Sequence, residues 1–568
     1  MSAREIPLLS SRAAIRCARR THNDHDPTLD DSQWVEVESS RWTDLGIAFE
    51  IDVREFLRNT LGAHCIDLTE LSHAAAEEAT VAAMRDGVRV IIGGTLPDDS
   101  AGARRGRPDL LVFTGPRSDG TSGYMPADIK SHQVAKPSTR ASAQATSLKL
   151  LATVSAAHTL AGLAPNTNHR LNDLLQLSHY WRMLEACAHE SHLGPTAGLI
   201  GSDTFTADEP FVLWQQLDEP AFTTYSRSQG TTKRAALERY DHEFDFRRRI
   251  ATAAQDQAPP LVRPIIIEEC DSCIWHDVCL ELVGELEPSQ YITSGRLGVR
   301  EWNALHDRGI RTIEELATLS LNDVRLDDYW GELDITQARA QTRLHDAIVR
   351  AEMIQAGESL RRVDSNPIVV PRADVEVDFD IEWDTDGRIY LWGLLITDAD
   401  GSIAESIVTW DALDDESEEA LAVRAIGSLM QLRDVAYSRG KSFAVYHYSH
   451  PEVSMVRTML ARGGAGLPSI DEWESFAHQH FVDLLPIMKR HFFGLHGLGL
   501  KKVAPWAGFA WQDEDPGGEQ AMEWVEQARH STNFDDRQMS RARLLQYNTD
   551  DVRATLAVRE KLSAEASD

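Results

Sequence analysis

The chain has 568 residues, 42% of them hydrophobic, and a formal net charge of −32. Such length and apolar content exclude a disordered chain and suggest about three to four globular domains. The acidity argues against a broad basic surface for a polyanion. Much of it, however, lies in runs such as DALDDESEEA (411–420), and net charge says nothing of local sites.

No stretch reaches the roughly 18 apolar residues of a membrane span. Residues 1–24 lack the apolar run of a secretory signal, so the expected compartment is the cytoplasm. Thiols stay reduced there, and clustered cysteines point to a metal rather than to disulfides.

In chain order, residues 1–50 read as irregular and helical. LSHAAAEEATVAAMRDG (71–87) is Ala-rich and stops at Gly87, which predicts a helix. VRVIIGGTL (88–96) follows as a strand. RGRPDLLVFTG (105–115) and YMPADIKSH (124–132) predict two strands joined by the turn-rich 116–123. Residues 171–190 predict an amphipathic helix, 197–203 and 209–217 strands, and 233–257 a long charged helix leading to CDSCIWHDVC (270–279). Residues 292–357 are helical with short connections. They include a turn at Gly309 and a capping-box pattern, Thr312 with Glu315. Residues 356–373 read as a linker. Strands return at 375–384, 388–398, 403–410 and 442–449, and helices dominate the end.

The first group with chemistry is Asp109, Asp128 and Lys130. Residues two apart on a strand share a face, so Asp128 and Lys130 point together, with Asp109 on the paired strand. Carboxylates hold Mg²⁺ or Mn²⁺ through oxygen, and such a cation polarises a phosphate and activates water. A neighbouring lysine orients the nucleophile or offsets developing charge. On an exposed hairpin the same residues would be ordinary surface charge. Gln176 and Tyr180 lie one turn apart on a helix face, as do His73 and Glu77, either of which could complete a metal shell.

GRPDLL…PADIK…QLSHY resembles the RecB-like branch of the PD-(D/E)xK nucleases. The resemblance implies Asp109 and Asp128 as metal ligands and Lys130 as the catalytic lysine. Gln176 and Tyr180 would support the site or the DNA. Glu77 would be the early-helix ligand, with His73 as second choice. Some of these nucleases carry a 4Fe-4S cluster held by one N-terminal cysteine and three behind the nuclease core. The resemblance thus implies Cys17, Cys270, Cys273 and Cys279 as its four thiolates. They would tie the ends of the domain together across a loop of about 250 residues. A zinc site on the same thiols, or with His276, is the alternative. Cys65 and Cys187 fall outside the pattern and read as small buried hydrophobes.

The second group is C-terminal. VDFDIEWD places Asp380 and Glu382 on one strand face, and LLQYNTDDVRATL places Tyr547 and Asp551 one turn apart on a helix. HYSHPE between them offers Glu452. Carboxylates so arranged can hold two cations that clamp the attacking and leaving oxygens of a phosphodiester, with the tyrosine orienting water. An acidic strand and a capped helix would give the same spacing. FDIEW…HYSHPE…DLLPIMKRHFFGLHGLGLKKVAPWAGF…YNTDDV resembles the RNase H-like 3′–5′ exonucleases of the DnaQ (DEDD) superfamily. The resemblance implies Asp380 and Glu382 as the first motif, Asp551 as the last, and Tyr547 as its tyrosine variant. Motif two departs from the family pattern: Glu452 stands where an Asp is usual. Asp483 of FVDLLP is a substitute, although its place suits the start of a helix.

The expected architecture is α/β and multidomain. It comprises a restriction-endonuclease-like mixed α/β domain (1–285), a helical connector faintly resembling helix-hairpin-helix DNA binders (290–358), and an RNase H-like domain (372–565). The expected function is metal-dependent hydrolysis of DNA, single-stranded or at ends, in repair, recombination or defence, with RNA left open. No GxxxxGK[ST] phosphate loop occurs, so a helicase would be a separate protein. The competing expectation is a nucleic-acid-binding scaffold in which one or both sites are inactive. Redox sensing through the cluster is a third.

Overall fold

The structure, a computed structural model, describes residues 6–35, 41–153, 157–204, 210–226, 230–333, 335–449, 451–464, 466–513 and 518–565. Residues 1–5 and 36–40 of the N-terminal segment, and Glu209 at the head of an expected strand, lie outside the described residues. The fold is mixed α/β. It divides into two compact units, residues 1–291 with 296–347 and residues 292–295 with 348–568. No helix among the described residues is long and apolar enough to cross a membrane.

The first unit is built on an eight-stranded sheet. Its strands are β1 (Cys65–Asp67), β2 (Val90–Ile92), β5 (Leu110–Pro116), β6 (Ser122–Ile129), β7 (Ala135–Ser147), β8 (His158–Pro165), β9 (Thr196–Thr204) and β10 (Pro210–Gln216). Their order is β1-β2-β5-β6-β9-β10-β7-β8. Short ribbons pair β3 (Leu96–Asp99) with β4 (Arg104–Gly106), and β11 (Phe222–Ser226) with β12 (Gly230–Arg234). The helices are α1 (Ala18–Asn23), α2 (Arg41–Leu61), α3 (His73–Arg85), α4 (Arg170–Ala186), α5 (Ala236–Gln255), α6 (His276–Val283), α7 (Val299–His306), α8 (Ile313–Ala317) and α9 (Gln337–Ala356). The division between the units falls inside α9.

Both faces of the central strands are covered. On one face Val53, Leu57 and Leu61 of α2 pack on Val90, Ile92, Leu110, Val112 and Ile129. On the other, Leu174, Leu177, Tyr180 and Trp181 of α4 pack on Leu111, Tyr124, Leu199 and Leu213. Strands buried on both faces read as continuous apolar runs, which is why VRVII and DLLVF stand out in the sequence. The β7–β8 hairpin does not stand out. Its Ser, Thr, Ala and Lys residues lie mostly in solvent and give no alternation of large apolar side chains.

The second unit carries a five-stranded sheet of order β16-β15-β14-β17-β18. Its strands are β14 (Val375–Trp383), β15 (Ile389–Asp398), β16 (Gly401–Val408), β17 (Phe443–His447) and β18 (Phe481–Asp483). The first three form an antiparallel meander, and β17 and β18 add in parallel. In the segment read as a linker, β13 (Leu360–Arg362) pairs with β19 (Phe492–Gly494). The helices are α10 (Asp415–Ser438), α11 (Pro451–Ala461), α12 (Ile470–His480), α13 (Leu484–His491), α14 (Leu500–Val503), α15 (Gly518–His530) and α16 (Phe534–Glu565).

Strand β14 sorts its side chains by parity. Val375, Val377, Phe379 and Ile381 enter a core with Leu421, Ala425, Ile426 and Leu429 of α10. Glu376, Asp378, Asp380 and Glu382 have the opposite parity, and partners from α16 meet them. Arg559, fully buried, bonds Asp378 at 3.0 and 2.8 Å and also pairs with Glu376. Burial opposes ionisation of Asp378 and lifts it to about 6 against the pull of Arg559. Removing one member of such a buried group costs about 3–5 kcal/mol. This anchor fixes where α16 lies along β14, and so where Asn548 and Asp551 fall.

Candidate functional site

In the second unit, ligand oxygens of Asp380, Glu382 and Asp551 lie within 4.8 Å of one another. Asn548 donates to Asp380 Oδ2 at 2.7 Å, and Trp511 Nε1 donates to Asp551 Oδ1 at 2.7 Å. Gly393 faces Asp380 across the β14–β15 ladder, and a Cβ there would sit 2.0 Å from Asn548 Oδ1. The glycine is thus the space through which Asn548 reaches the strand. Burial, then Asp551, Glu382 and Glu452, push Asp380 well above the usual carboxylate range. Burial and Asp551 do the same to Glu382. Asp551 is pushed by burial to about 6, restrained by its Trp511 hydrogen bond and by Lys501. Tyr547 lies beside Asp551, and burial with the three carboxylates raises its phenol. The Lys501 ammonium stands 5.0 Å from the Tyr547 ring centre.

Glu452, on the first turn of α11, is buried and 3.4 Å from His447 Nδ1. Its charge acts on Asp380 and Glu382, but it is not in the tight trio. Asp483 starts a helix, as its sequence place suggests. Its Oδ1 accepts from Leu485 N and Ser449 N, both at 2.9 Å. Lys501, Asn548 and Trp511 were not legible as site residues. Only the spacing of Asn548, three residues before Asp551 on one helix face, carried a signal.

In the first unit, Asp109 precedes β5 and its Oδ2 accepts from Ile129 N on β6 at 2.8 Å. Lys130 Nζ donates to Asp128 Oδ2 at 3.2 Å and to Gln176 Oε1 at 3.1 Å. Gln176 Nε2 donates to the Tyr180 hydroxyl at 3.3 Å, and that hydroxyl donates to Arg107 O at 3.1 Å. Four of the expected residues, Asp128, Lys130, Gln176 and Tyr180, therefore form one chain of contacts, and the charges of Asp128 and Lys130 act on the fifth, Asp109. Burial and the Asp128 charge lift Asp109 to about 7. Asp128 is fully buried, and its Oδ1 has no hydrogen-bond partner. Burial disfavours the charged Lys130, but Asp128 and Asp109 outweigh it and raise the ammonium's pKa.

The two early-helix candidates, Glu77 and His73, lie on α3. On α3, Glu77 acts on Arg105 and His73 on Asp98, around the partly exposed Arg105–Asp98 ion pair. It is α2 whose charge reaches Asp109, through Arg54, which pairs with Glu50. A Cβ on Gly46 would lie 3.6 Å from Ser131 Oγ, next to Lys130. Gly46, Glu50 and Arg54 share one helix face at i, i+4 and i+8. That spacing was the available signal, but residues 1–50 read only as irregular and helical, and the face runs past them to Arg54.

Cys17, Cys270, Cys273 and Cys279 line one small cavity, with His276 at its wall. The last three are buried. Glu269 accepts from Cys17 N at 3.0 and 2.8 Å, Asn23 Nδ2 donates to Cys279 Sγ at 3.5 Å, and Ile267 N donates to Cys270 Sγ at 3.4 Å. Burial raises the Cys270 thiol to about 12 and Cys279 to about 11. Cys65 and Cys187 are half-buried against two separate cores.

Residues 377–563 match the family model of the RNase_H superfamily, so the second unit carries an RNase H-like domain. No curated protein and no solved structure matches the chain.

Proposed function

We propose that the chain is a metal-dependent nuclease with two phosphodiesterase sites, one in each unit. The observation that carries the reading is the trio Asp380, Glu382 and Asp551, three carboxylates from a strand and a helix held within 4.8 Å inside an RNase H-like domain. Like charges this close oppose one another's ionisation, so the trio fits a divalent cation as its missing partner. A bound Mg²⁺ or Mn²⁺ supplies charge for the phosphate and a more acidic water. Asn548 holds Asp380, Tyr547 orients the water, and Glu452, whose charge acts on Asp380, serves as a fourth carboxylate.

The N-terminal cluster is read the same way. Asp109 and Asp128 are the ligands, and the orphaned Asp128 Oδ1 fits a cation. Lys130, steadied by Gln176, offsets charge on the phosphate. Glu50, rather than Glu77, is the early-helix ligand, because α2 is the helix whose charge reaches Asp109. The four cysteines hold a 4Fe-4S cluster. They share one small cavity, and Cys270, Cys273 and Cys279 are buried there. The substrate is single-stranded DNA or DNA ends in the cytoplasm, with RNA open and any helicase separate. The scaffold reading keeps one observation in its favour, the engagement of Glu452 by His447.

The test is cleavage of end-labelled single-stranded DNA and RNA in Mg²⁺ or Mn²⁺ by anaerobically purified chain. Wild type, Lys130→Ala, Asp551→Asn and the double variant are compared. Each single change should remove part of the activity and the double change all of it. Activity unchanged in the double variant, or no cleavage by wild type, rejects the reading.

A further inference from the structure

The contacts of the first unit continue one step beyond the residues already used. Asp128, Lys130 and His132 have the same parity. The chain stays paired past the end of β6, since Lys130 N donates to Ile200 O at 2.8 Å and Ser202 N donates to His132 O at 3.2 Å. The chain bends at Ser131 and His132, and the three side chains form a row only in that each meets the one helix α4. Helix α4 runs over that row with Tyr180 near Asp128, Gln176 on Lys130 and Asp173 on His132. His132 Nε2 and Asp173 Oδ2 are 3.0 Å apart; the Asp173 side chain is 9% exposed and the imidazole 32%. The imidazole also meets the His169 ring, 4.8 Å between centres. His169 itself holds φ +59°, a strained backbone for a non-glycine residue.

A carboxylate buried behind a half-exposed imidazole fixes the ring's orientation, as in other acid–base pairs. Resting on the nuclease reading of this cluster, we propose that His132, positioned by Asp173, is the general acid that protonates the leaving oxygen. The water oxygen bonds to phosphorus, the bond from phosphorus to the leaving oxygen breaks, and the imidazolium proton passes to that oxygen to give an alcohol. The proton lost by the water goes to solvent, and solvent reprotonates the imidazole. The competing account is that the pair only pins the start of α4 to the sheet.

The two accounts separate on substrates in which sulfur replaces the bridging 3′ or 5′ oxygen, because a thiolate leaves without a proton. The full chain carrying Asp551→Asn, to silence the second unit, is assayed with oxygen- and sulfur-bridged oligonucleotides. His132→Ala should slow the oxygen linkage by about 10²–10⁴-fold, yet cleave the labile sulfur linkage nearly as fast as its parent. Asp173→Asn should show the same rescue to a smaller degree, and it keeps the test alive should His132→Ala fold poorly. Lys130→Ala should fail on both linkages. Equal losses on oxygen and sulfur, or no loss on oxygen, overturn the assignment while the Lys130 result upholds the nuclease reading. Unchanged cleavage in Lys130→Ala and Asp109→Asn removes the nuclease reading of this unit, and the general acid with it.

Discussion

Asp380→Asn should stabilise the second unit in EDTA and destabilise it, relative to wild type, in Mn²⁺. The folded chain raises Asp551 from 3.8 to about 6. That interval corresponds to about 3 kcal/mol. The sign follows from the direction: the raised carboxyl keeps its proton in the folded state while the unfolded chain has already lost it. The cost is therefore absent below pH 3.8 and complete above about pH 6. Asp380 and Glu382 are raised as well, by burial and by their neighbours, and add to the same slope. Asparagine at 380 can still accept from Asn548 while removing a buried charge that burial, Asp551, Glu382 and Glu452 oppose, so a gain in stability at pH 8 is expected in EDTA. Saturating cation reverses the order, since binding at 100 times Kd stabilises wild type by about 2.7 kcal/mol. Urea unfolding of the full chain at pH 5 and pH 8, with EDTA or Mn²⁺, reads both effects in the transition that the substitution moves. Equal destabilisation by Asp380→Asn in EDTA and in Mn²⁺ would refute the reasoning and make the trio a structural feature.

Arg559→Met should cost about 3–5 kcal/mol, because it strands two buried carboxylates; adding Glu376→Gln and Asp378→Asn should recover most of the loss in the same unfolding experiment. Glu50→Gln should abolish the activity remaining in an Asp551→Asn background as fully as Asp109→Asn does, while Glu77→Gln leaves it within about twofold, the cost of a surface charge. Cys17→Ser should lower bound iron and the melting temperature together in anaerobically purified chain. Zinc in place of iron, or no change in metal content, would contradict the cluster.

Legibility followed the physics of each signal. The sheet strands 110–116 and 122–129, and those from Val375 onward, were readable because burial on one or both faces forces runs or alternation of large apolar residues. The β7–β8 hairpin and the Gly46–Glu50–Arg54 face were not: one is solvent-facing with small side chains, and the other begins in a stretch read as irregular and helical and runs past its end. Asp109, Asp128, Lys130, Gln176 and Tyr180 stand at spacings that strand and helix geometry translate directly into a shared face. Lys501 and Trp511 come to their site from distant positions through tertiary packing, which no local spacing encodes. His132 was in plain view two residues beyond Lys130, but its meaning depends on Asp173, placed by α4.

The central claim is that Asp380, Glu382 and Asp551 hold a catalytic divalent cation. Its most direct test is calorimetric titration of Mn²⁺ into the full chain carrying Asp109→Asn and Asp128→Asn, with and without Asp551→Asn. Binding in the first protein and its loss in the second is the predicted result. The same heat and stoichiometry in both would contradict it.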